Sequence, residues 1–295
     1  MQYDDMFILP ETRNGWHVDE KTKKIWFVFI DLMKKLDEIC QKEELRWFPL
    51  FGTLLGAVRH KGFIPWDDDV DVGMPREDYD KFIEICKNKL EYPYFLQTTE
   101  SDNECYRYMA MLRNSETTGN RKCSLRLSQN SGIGIAIFPL EGCESNLMLF
   151  RLRRFPMYVA SVLCNTYVNE INMSKKAVIL RRLLRLFPIN YKKIHCILES
   201  INSKHPMHRY KMCTITLQRD SGTKHLSQQV WKREWFDNTV MWRFENIMIP
   251  IPCGYDNILK TFYGDYMQFP PMSKRQGKHD IIYEPDIPYK KYKLI

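Results

Sequence analysis

The stretch Trp66-Asp67-Asp68-Asp69-Val70-Asp71-Val72 places four carboxylates within seven residues. Charges this close repel one another, so the fold must offset them with water on a solvated loop or with a divalent cation in a site. Alternate side chains of a strand share a face, which predicts that Asp67, Asp69 and Asp71 point one way and Asp68 the other. The apolar residues around and within the stretch favour a metal site over an acidic surface strand.

Gly52 and Thr53 stand upstream of this stretch and open a predicted helical turn that runs to Val58. Glycine lets a backbone approach a ligand closely, and a hydroxyl residue at a helix start, with free N–H groups behind it, can form an anion site. Alone, Gly-Thr before a helix is usually only an N-cap. Together with the aspartates, it predicts a site for nucleotide phosphates and Mg²⁺ or Mn²⁺.

Helical and strand patterns alternate along the rest of the chain, which predicts an α/β or α+β fold. Apolar residues recur at helical spacing between residues 19 and 45, and Pro75 is suited to the first position of a further helix. The other predicted elements are strands at 47–50, 67–72, 106–112 and 132–138, a basic helical region at 146–186, a hairpin at 240–249 and a short helix at 255–262.

The composition fits a packed protein of one large or two small domains, since 44% of its 295 residues are hydrophobic. Nine cysteines form no C-x-x-C pair, and an odd count cannot be fully paired, so we expect reduced thiols in a cytoplasmic protein. The acidic N-terminus does not resemble a signal peptide, and every apolar stretch is shorter than the roughly 20 residues that span a bilayer.

The net charge of +8 comes from one segment, because residues 146–195 hold ten Lys or Arg and a single acid, Glu170. Such a segment is either a basic amphipathic helix on an anionic membrane or a helical subdomain with a solvated basic face. We therefore predict a core at 1–145, a basic helical insertion at 146–230 and a C-terminal part at 231–295 that completes the core. No RNA-binding signature is recognisable, so we expect no nucleic-acid partner.

The stretch from Gly52 to Asp71 closely resembles the signature of the LicD family, which comprises phosphocholine transferases of bacterial surface glycans and is related to fukutin-type proteins. The resemblance continues through residues 74–79, 137–140 and 263–267, and then through Pro270-Pro271, Lys274-Arg275 and His279. It covers most of the chain from about residue 32 to residue 280.

The resemblance implies a nucleotidyltransferase-like mixed sheet flanked by helices. It also implies Mg²⁺-dependent transfer of a phospho-substituent from a CDP-linked donor to a sugar hydroxyl in lipopolysaccharide, teichoic acid or capsule. In that picture Asp69 and Asp71 hold the metal beside Asp67, and these three residues are catalytic. The predicted substrate-binding residues are Gly52, Thr53, Arg59, His60, Lys61, Lys274, Arg275 and His279. The resemblance implies an acceptor that is a glycan or a lipid-linked glycan. Because a lipid-linked acceptor lies at the membrane, we expect peripheral contact of this protein with the inner face of the membrane.

Ala136 departs from the family pattern, which has an Asp on the strand before Phe138-Pro139-Leu140. That third carboxylate completes the metal site or acts as base on the acceptor hydroxyl, and loss of a general base costs about 10²–10⁴ in rate. Three readings stay open: Glu141 or Glu245 substitutes, the acceptor ionises without help, or activity is reduced or absent. Glu141 follows Pro139 and is expected to lie off the strand. The alternative function is therefore an impaired paralogue that binds donor or partner without turnover.

Overall fold

The computed structural model describes residues 3–102, 105, 109–121, 128–146, 148–156, 179, 183, 186, 190–215, 230–276 and 281–292. Its helices are α1 Glu20–Lys42, α2 Phe51–Leu55, a π-helix Gly56–His60, α3 Arg76–Lys89, α4 Tyr191–Asn202 and α5 Tyr255–Tyr263. Residues 148–156 are also helical. Its strands are β1 Glu11–Arg13, β2 Trp16–Val18, β3 Phe48–Pro49, β4 Asp71–Pro75, β5 Tyr94–Gln97, β6 Ala110–Asn114, β7 Thr118–Arg121, β8 Ile133–Cys143, β9 Met212–Thr214, β10 Val230–Lys232, β11 Thr239–Phe244, β12 Ile247–Pro252 and β13 Ile281–Glu284.

A mixed sheet is organised around β8, the longest of these strands. β8 pairs parallel with β4 and antiparallel with β6 and β9, while β3, β5 and β10 extend the sheet outward. Its side chains are almost all buried, as expected for a strand with neighbours on both edges. The predicted α/β or α+β class with a mixed sheet and flanking helices is confirmed.

Helix α1 supplies one layer over this sheet and packs against β6 and β8. It begins at the N-cap Asp19, whose carboxylate accepts a hydrogen bond from the Thr22 amide at 2.8 Å. Leu32, Met33 and Leu36 are fully buried on its inner face. Helix α3 packs against β4 and β8 and carries Phe82 into the same core.

Two small ribbons close over the edge that carries the acidic stretch. The β11–β12 hairpin, predicted from the sequence, packs near the π-helix, and the Trp242 indole N–H donates to the Ala57 carbonyl at 3.0 Å. The other ribbon pairs β7 with β13, two segments about 160 residues apart in the chain. Neither β7 nor β13 was predicted from the sequence.

Several predicted elements need correction. The strand expected at 67–72 begins only at Asp71, because residues 67–70 form a loop before the pairing of β4 starts. The strand expected at 106–112 runs from Ala110 to Asn114 in the described residues. The helix expected over 146–186 is seen at 148–156, and most of its remainder lies outside the described residues. In the part of the chain that is described, every helix is too short or too polar to cross a bilayer.

Candidate active site

Three consecutive acidic side chains gather in the loop before β4. Carboxylate oxygens of Asp67, Asp68 and Asp69 lie within 4.8 Å of one another, and all three residues are half-buried. The prediction that Asp68 faces away from its neighbours is wrong, because strand alternation does not apply to residues that are not in a strand. The loop therefore presents three adjacent carboxylates to one point.

Asp71, the first residue of β4, adjoins this triplet. Its amide donates to the Thr53 hydroxyl at 2.9 Å, and its carbonyl accepts from the Leu50 amide at 2.9 Å. Burial raises the pKa of the Asp71 carboxyl well above its usual range, and the charges of Asp69 and Asp67 raise it further. A nearby cation is what would let this carboxyl ionise at neutral pH.

Gly52 lies against the acidic loop. A Cβ atom at this position would be 2.2 Å from Oδ2 of Asp67, far inside van der Waals contact. Glycine is thus the residue that lets the α2 backbone approach this carboxylate. Thr53 was predicted to stand at the helix start, but it lies inside α2, whose N-cap is Leu50, and its buried hydroxyl fixes the first residue of β4.

The four carboxylates suit a hard divalent cation. Mg²⁺ and Mn²⁺ prefer carboxylate oxygens and keep positions open for water or phosphate oxygens. The loop brings together Asp67, Asp68 and Asp69. Asp71 lies beside them, where burial and the neighbouring carboxylates raise its pKa and so disfavour its ionised form. The donor set therefore fits the predicted metal, with Asp67 and Asp68 joining the predicted ligands Asp69 and Asp71 as candidates.

Ala136 occupies the strand position next to Asp71. The parallel register of β4 and β8 pairs Asp71 with Ala136, and residues paired in this way point to the same face of the sheet. On its other side Ala136 is opposite Met111 of β6. An acid at position 136 would therefore stand beside Asp71, and the methyl group of Ala136 takes its place.

Glu141 does not take over the role of an acid at position 136. The expectation that it lies off the strand is wrong, since it belongs to β8. It is, however, five residues from Ala136, so its side chain lies on the opposite face of the sheet. There it is buried and accepts from Arg76 at 3.2 Å.

Glu245 is also committed elsewhere. Its carboxylate contacts both terminal nitrogens of Arg13, at 2.5 and 3.1 Å, and accepts from the Phe63 amide at 2.9 Å. The bidentate pair ties the β11–β12 turn to β1, and the bond from Phe63 holds the same turn against the loop that follows the π-helix. Neither proposed substitute for the third acid is therefore available to an acceptor hydroxyl.

Two predicted basic residues meet beside the acidic loop. Arg59 donates to the carbonyls of Tyr266 and Gln268 at 2.9 and 3.1 Å, and its guanidinium lies 5.1 Å from the Phe269 ring centroid. Arg275 stacks 4.7 Å from the ring of Trp66, the residue before Asp67. These arginines tie residues 266–275 to the acid-bearing loop.

His60 joins this cluster as a neutral ring. Burial lowers its pKa from 6.5 to about 4, and the neighbouring charge of Arg59 adds to the effect. The imidazole makes edge contacts with Trp66 and Phe269. At neutral pH His60 therefore offers hydrogen bonding rather than charge to a phosphate.

The other predicted basic residues are less central. Lys61 closes the π-helix in the left-handed conformation, with φ of 57°, and its side chain is exposed. Lys274 is exposed in a short 3₁₀ turn. His279 lies outside the described residues. The predicted substrate-binding role of all three stays a prediction.

Two tyrosines at the site were not among the predicted residues. Tyr283 of β13 donates its hydroxyl to the Asp68 carbonyl at 2.6 Å and so anchors the acidic loop. Burial, followed by the charges of Asp67 and Asp71, raises the pKa of Tyr263 far above its ordinary value, which places this residue close to the cluster. The motif at 263–267 was a signal for Tyr263, whereas Tyr283 lacks a local signal.

A separate cavity of about 1040 Å³ lies on the other side of β7. Thr118 and Asn120 line it. Arg121 lies on the alternate face of the strand, and its positive charge lowers the pKa of Asp71, against the larger effect of burial. Its charged lining residues balance, with the acids Asp102 and Glu116 facing two lysines. Among the described residues, the lining of this cavity therefore has no excess of acid or base.

Comparison with known proteins matches part of the chain to a family domain. The family model of the LicD/FKTN/FKRP nucleotidyltransferase domain matches residues 44–151, which include the acidic loop, Gly52 and Ala136. The chain is 25% identical over 258 residues to the lipopolysaccharide cholinephosphotransferase LicD of Haemophilus influenzae, covering 85% of this chain and 93% of that protein.

Two shorter similarities involve uncharacterised rickettsial proteins. A protein of Rickettsia typhi is 48% identical over 54 residues, which is 18% of each chain. A protein of Rickettsia prowazekii is 51% identical over 47 residues, 16% of this chain and 18% of its own. The chain therefore carries a LicD/FKTN/FKRP nucleotidyltransferase domain at residues 44–151, and its similarity to the Haemophilus protein extends over most of its length.

Proposed function

We propose that this protein transfers a phospho-substituent, such as phosphocholine, from a CDP-linked donor to a sugar hydroxyl of a surface glycan. Lipopolysaccharide is the first candidate, because the Haemophilus relative is a lipopolysaccharide cholinephosphotransferase; teichoic acid and capsule are further candidates. The observation that carries the proposal is the convergence of Asp67, Asp68 and Asp69 beside Asp71 within the matched domain. Such a pocket would hold a divalent metal, which neutralises the charge of a donor diphosphate during phosphotransfer.

The chain's own residues divide the work of binding. Asp69 and Asp71, with Asp67 and Asp68 adjoining, would hold Mg²⁺, which supplies charge neutralisation for the donor diphosphate when bound. The α2 backbone at Gly52 lies close enough to the acidic loop for its N–H groups to face donor phosphate oxygens. Arg59 and Arg275 fix residues 266–275 beside the site and add positive potential there.

The acceptor hydroxyl must lose a proton, and Ala136 cannot take it. Asp67 is the base that we propose, because Asp69 and Asp71 are the predicted metal ligands and Asp67 adjoins them. In this scheme Asp67 accepts the proton as the acceptor oxygen attacks phosphorus and CMP leaves. We expect slower turnover than for an enzyme with an acid at position 136.

The second candidate function is a protein that binds donor or partner without turnover. It is favoured by Ala136 beside Asp71 and by the engagement of Glu141 and Glu245 in ion pairs. The metal and donor site would still assemble, because the acidic loop does not depend on residue 136. Binding and catalysis must therefore be measured separately.

The experiment is an assay of CMP release from CDP-linked choline, ethanolamine, ribitol and glycerol, with Mg²⁺ and a panel of surface glycans. Isothermal titration with each donor runs in parallel, and Asp69→Asn with Asp71→Asn serves as the metal-site control. Glycan-dependent CMP release that the double variant loses supports the transferase. Tight donor binding without release supports the second function, and absence of both refutes the two proposals.

Peripheral contact with the inner face of the membrane is part of the same proposal. A lipid-linked acceptor would lie at that surface, and residues 146–195 carry the basic excess that anionic lipid attracts.

A further inference from the structure

The helix at residues 148–156 turns an apolar face to solvent. Met148, Leu149, Leu152 and Phe155 are 71%, 54%, 62% and 64% exposed. At ~100° per residue these four side chains fall within an arc of roughly 120°, the width of an amphipathic stripe. An exposed stripe of this kind marks an interaction surface.

The opposite side of the same helix is fixed to the protein. Phe150 is fully buried, and Arg153 donates to the Gly142 carbonyl at 2.9 Å. Asn146 caps the first turn, with its side-chain oxygen accepting from the Met148 amide at 2.9 Å. The contacts of Phe150 and Arg153 fix the rotation of the helix about its axis, and this rotation turns the apolar stripe toward solvent.

The charge around the stripe identifies its partner. Arg151 is exposed next to the stripe, and residues 146–195 hold ten Lys or Arg against one acid. A second copy of this chain would bring two such segments together, and their like charges would repel. An acidic lipid bilayer is complementary to this segment, because its anionic headgroups match the basic residues and its acyl chains match the apolar stripe. Further exposed apolar residues of the segment are Ile179, Leu183 and Leu186.

We propose that the 148–156 helix docks the protein on an anionic membrane, with its apolar stripe at the boundary between headgroups and acyl chains. Leu152 lies near the middle of the surface that enters the lipid, and Phe155 lies at its edge, beside Arg151, which meets acidic headgroups. This inference names the surface for the proposed membrane contact, but it needs neither donor, metal nor transfer.

The test is flotation of the full-length protein with vesicles of phosphatidylcholine, with and without phosphatidylglycerol. We expect the protein to float with the anionic vesicles only, and to be released by salt. Leu152→Glu with Phe155→Glu should abolish flotation. Arg151→Glu should weaken it about fivefold or more, the equivalent of about 1 kcal/mol per basic residue near the surface.

The matched control is Met241→Glu with Met248→Glu, which changes two comparably exposed apolar residues of the β11–β12 hairpin and should leave flotation intact. Thermal unfolding and sedimentation of each variant complete the test. The inference is overturned if the wild type does not float. It is also overturned if the 152/155 variant floats equally well, or if that variant instead loses stability or dissociates a dimer. Flotation without CMP release would refute the transferase and leave the docking surface standing.

Discussion

Restoring an acid next to Asp71 is the most direct test of the site. In Ala136→Asp the new carboxylate would stand on the adjacent strand, about 4.8 Å away, on the same face of the sheet. At an effective dielectric constant of about 20, two charges roughly 5 Å apart repel by about 3 kcal/mol. The metal-free variant should therefore be less stable than the wild type, or keep one of the two acids protonated.

The same change should improve both metal binding and catalysis. Mg²⁺ offsets the added repulsion, so the metal should raise the melting temperature of the variant more than that of the wild type. If the new acid acts as general base, turnover in the CMP-release assay should rise by about 10²–10⁴-fold.

Ala136→Asn is the matched control, because it has the same shape as the aspartate variant without the charge. It should show neither gain. A rate for Ala136→Asp that is equal to or lower than the wild-type rate, in a variant that Mg²⁺ still stabilises, would refute the reasoning that position 136 limits activity.

Three further predictions concern the surroundings of the acidic loop. Gly52→Ala should displace the Asp67 carboxylate by about 1 Å and lower turnover by about 100-fold while the melting temperature changes little; an active variant would show that Asp67 need not stay in place. His60→Phe should flatten the pH dependence of stability, because the unfolded imidazole gains a proton below 6.5 whereas the folded one resists until about 4. The wild type should thus lose about 2 kcal/mol more than the variant between pH 7.5 and 5 in urea titrations, and parallel curves would contradict this. Glu245→Ala should cost roughly 2 kcal/mol of stability, because it removes the bidentate partner of Arg13 and leaves only the bond to Glu11, with activity per folded molecule retained; loss of activity in a stable variant would instead make Glu245 catalytic.

Local periodicity correctly predicted the elements whose apolar spacing and turn residues lie within a single short segment of the chain. Helix α1, the β11–β12 hairpin and α5 were all expected within a few residues of their observed bounds. Their apolar spacing and turn residues act over short distances, which a sequence displays directly. The composition and order of elements were enough to give the fold class.

The strands of the β7–β13 ribbon show the limit of this reasoning. Each has four residues, and each is a strand only because the other lies beside it. β7 contains Gly119 and Asn120, which have low strand propensity. Pairing between distant segments leaves no periodic signal in either one, so Tyr283 could not be connected with Asp68 from the sequence.

The acidic stretch was identified correctly but oriented wrongly. Its charge density predicted a site, and the structure brings Asp67, Asp68 and Asp69 together. The alternation rule failed because the sheet pairing of β4 starts only at Asp71, and before it the chain follows the loop. The position of Ala136 beside Asp71 follows from strand register, which the sequence alone does not supply.

The bond from Tyr283 to the Asp68 carbonyl has a consequence for biosynthesis. The acidic loop leaves the ribosome early, whereas the strand that anchors it follows more than 200 residues later. A nascent chain can thus fold α1 and the hairpin while its acidic loop still lacks one of its supports. Prematurely terminated products that lack residues 281–284 should carry the whole acidic stretch without a fully organised acidic loop.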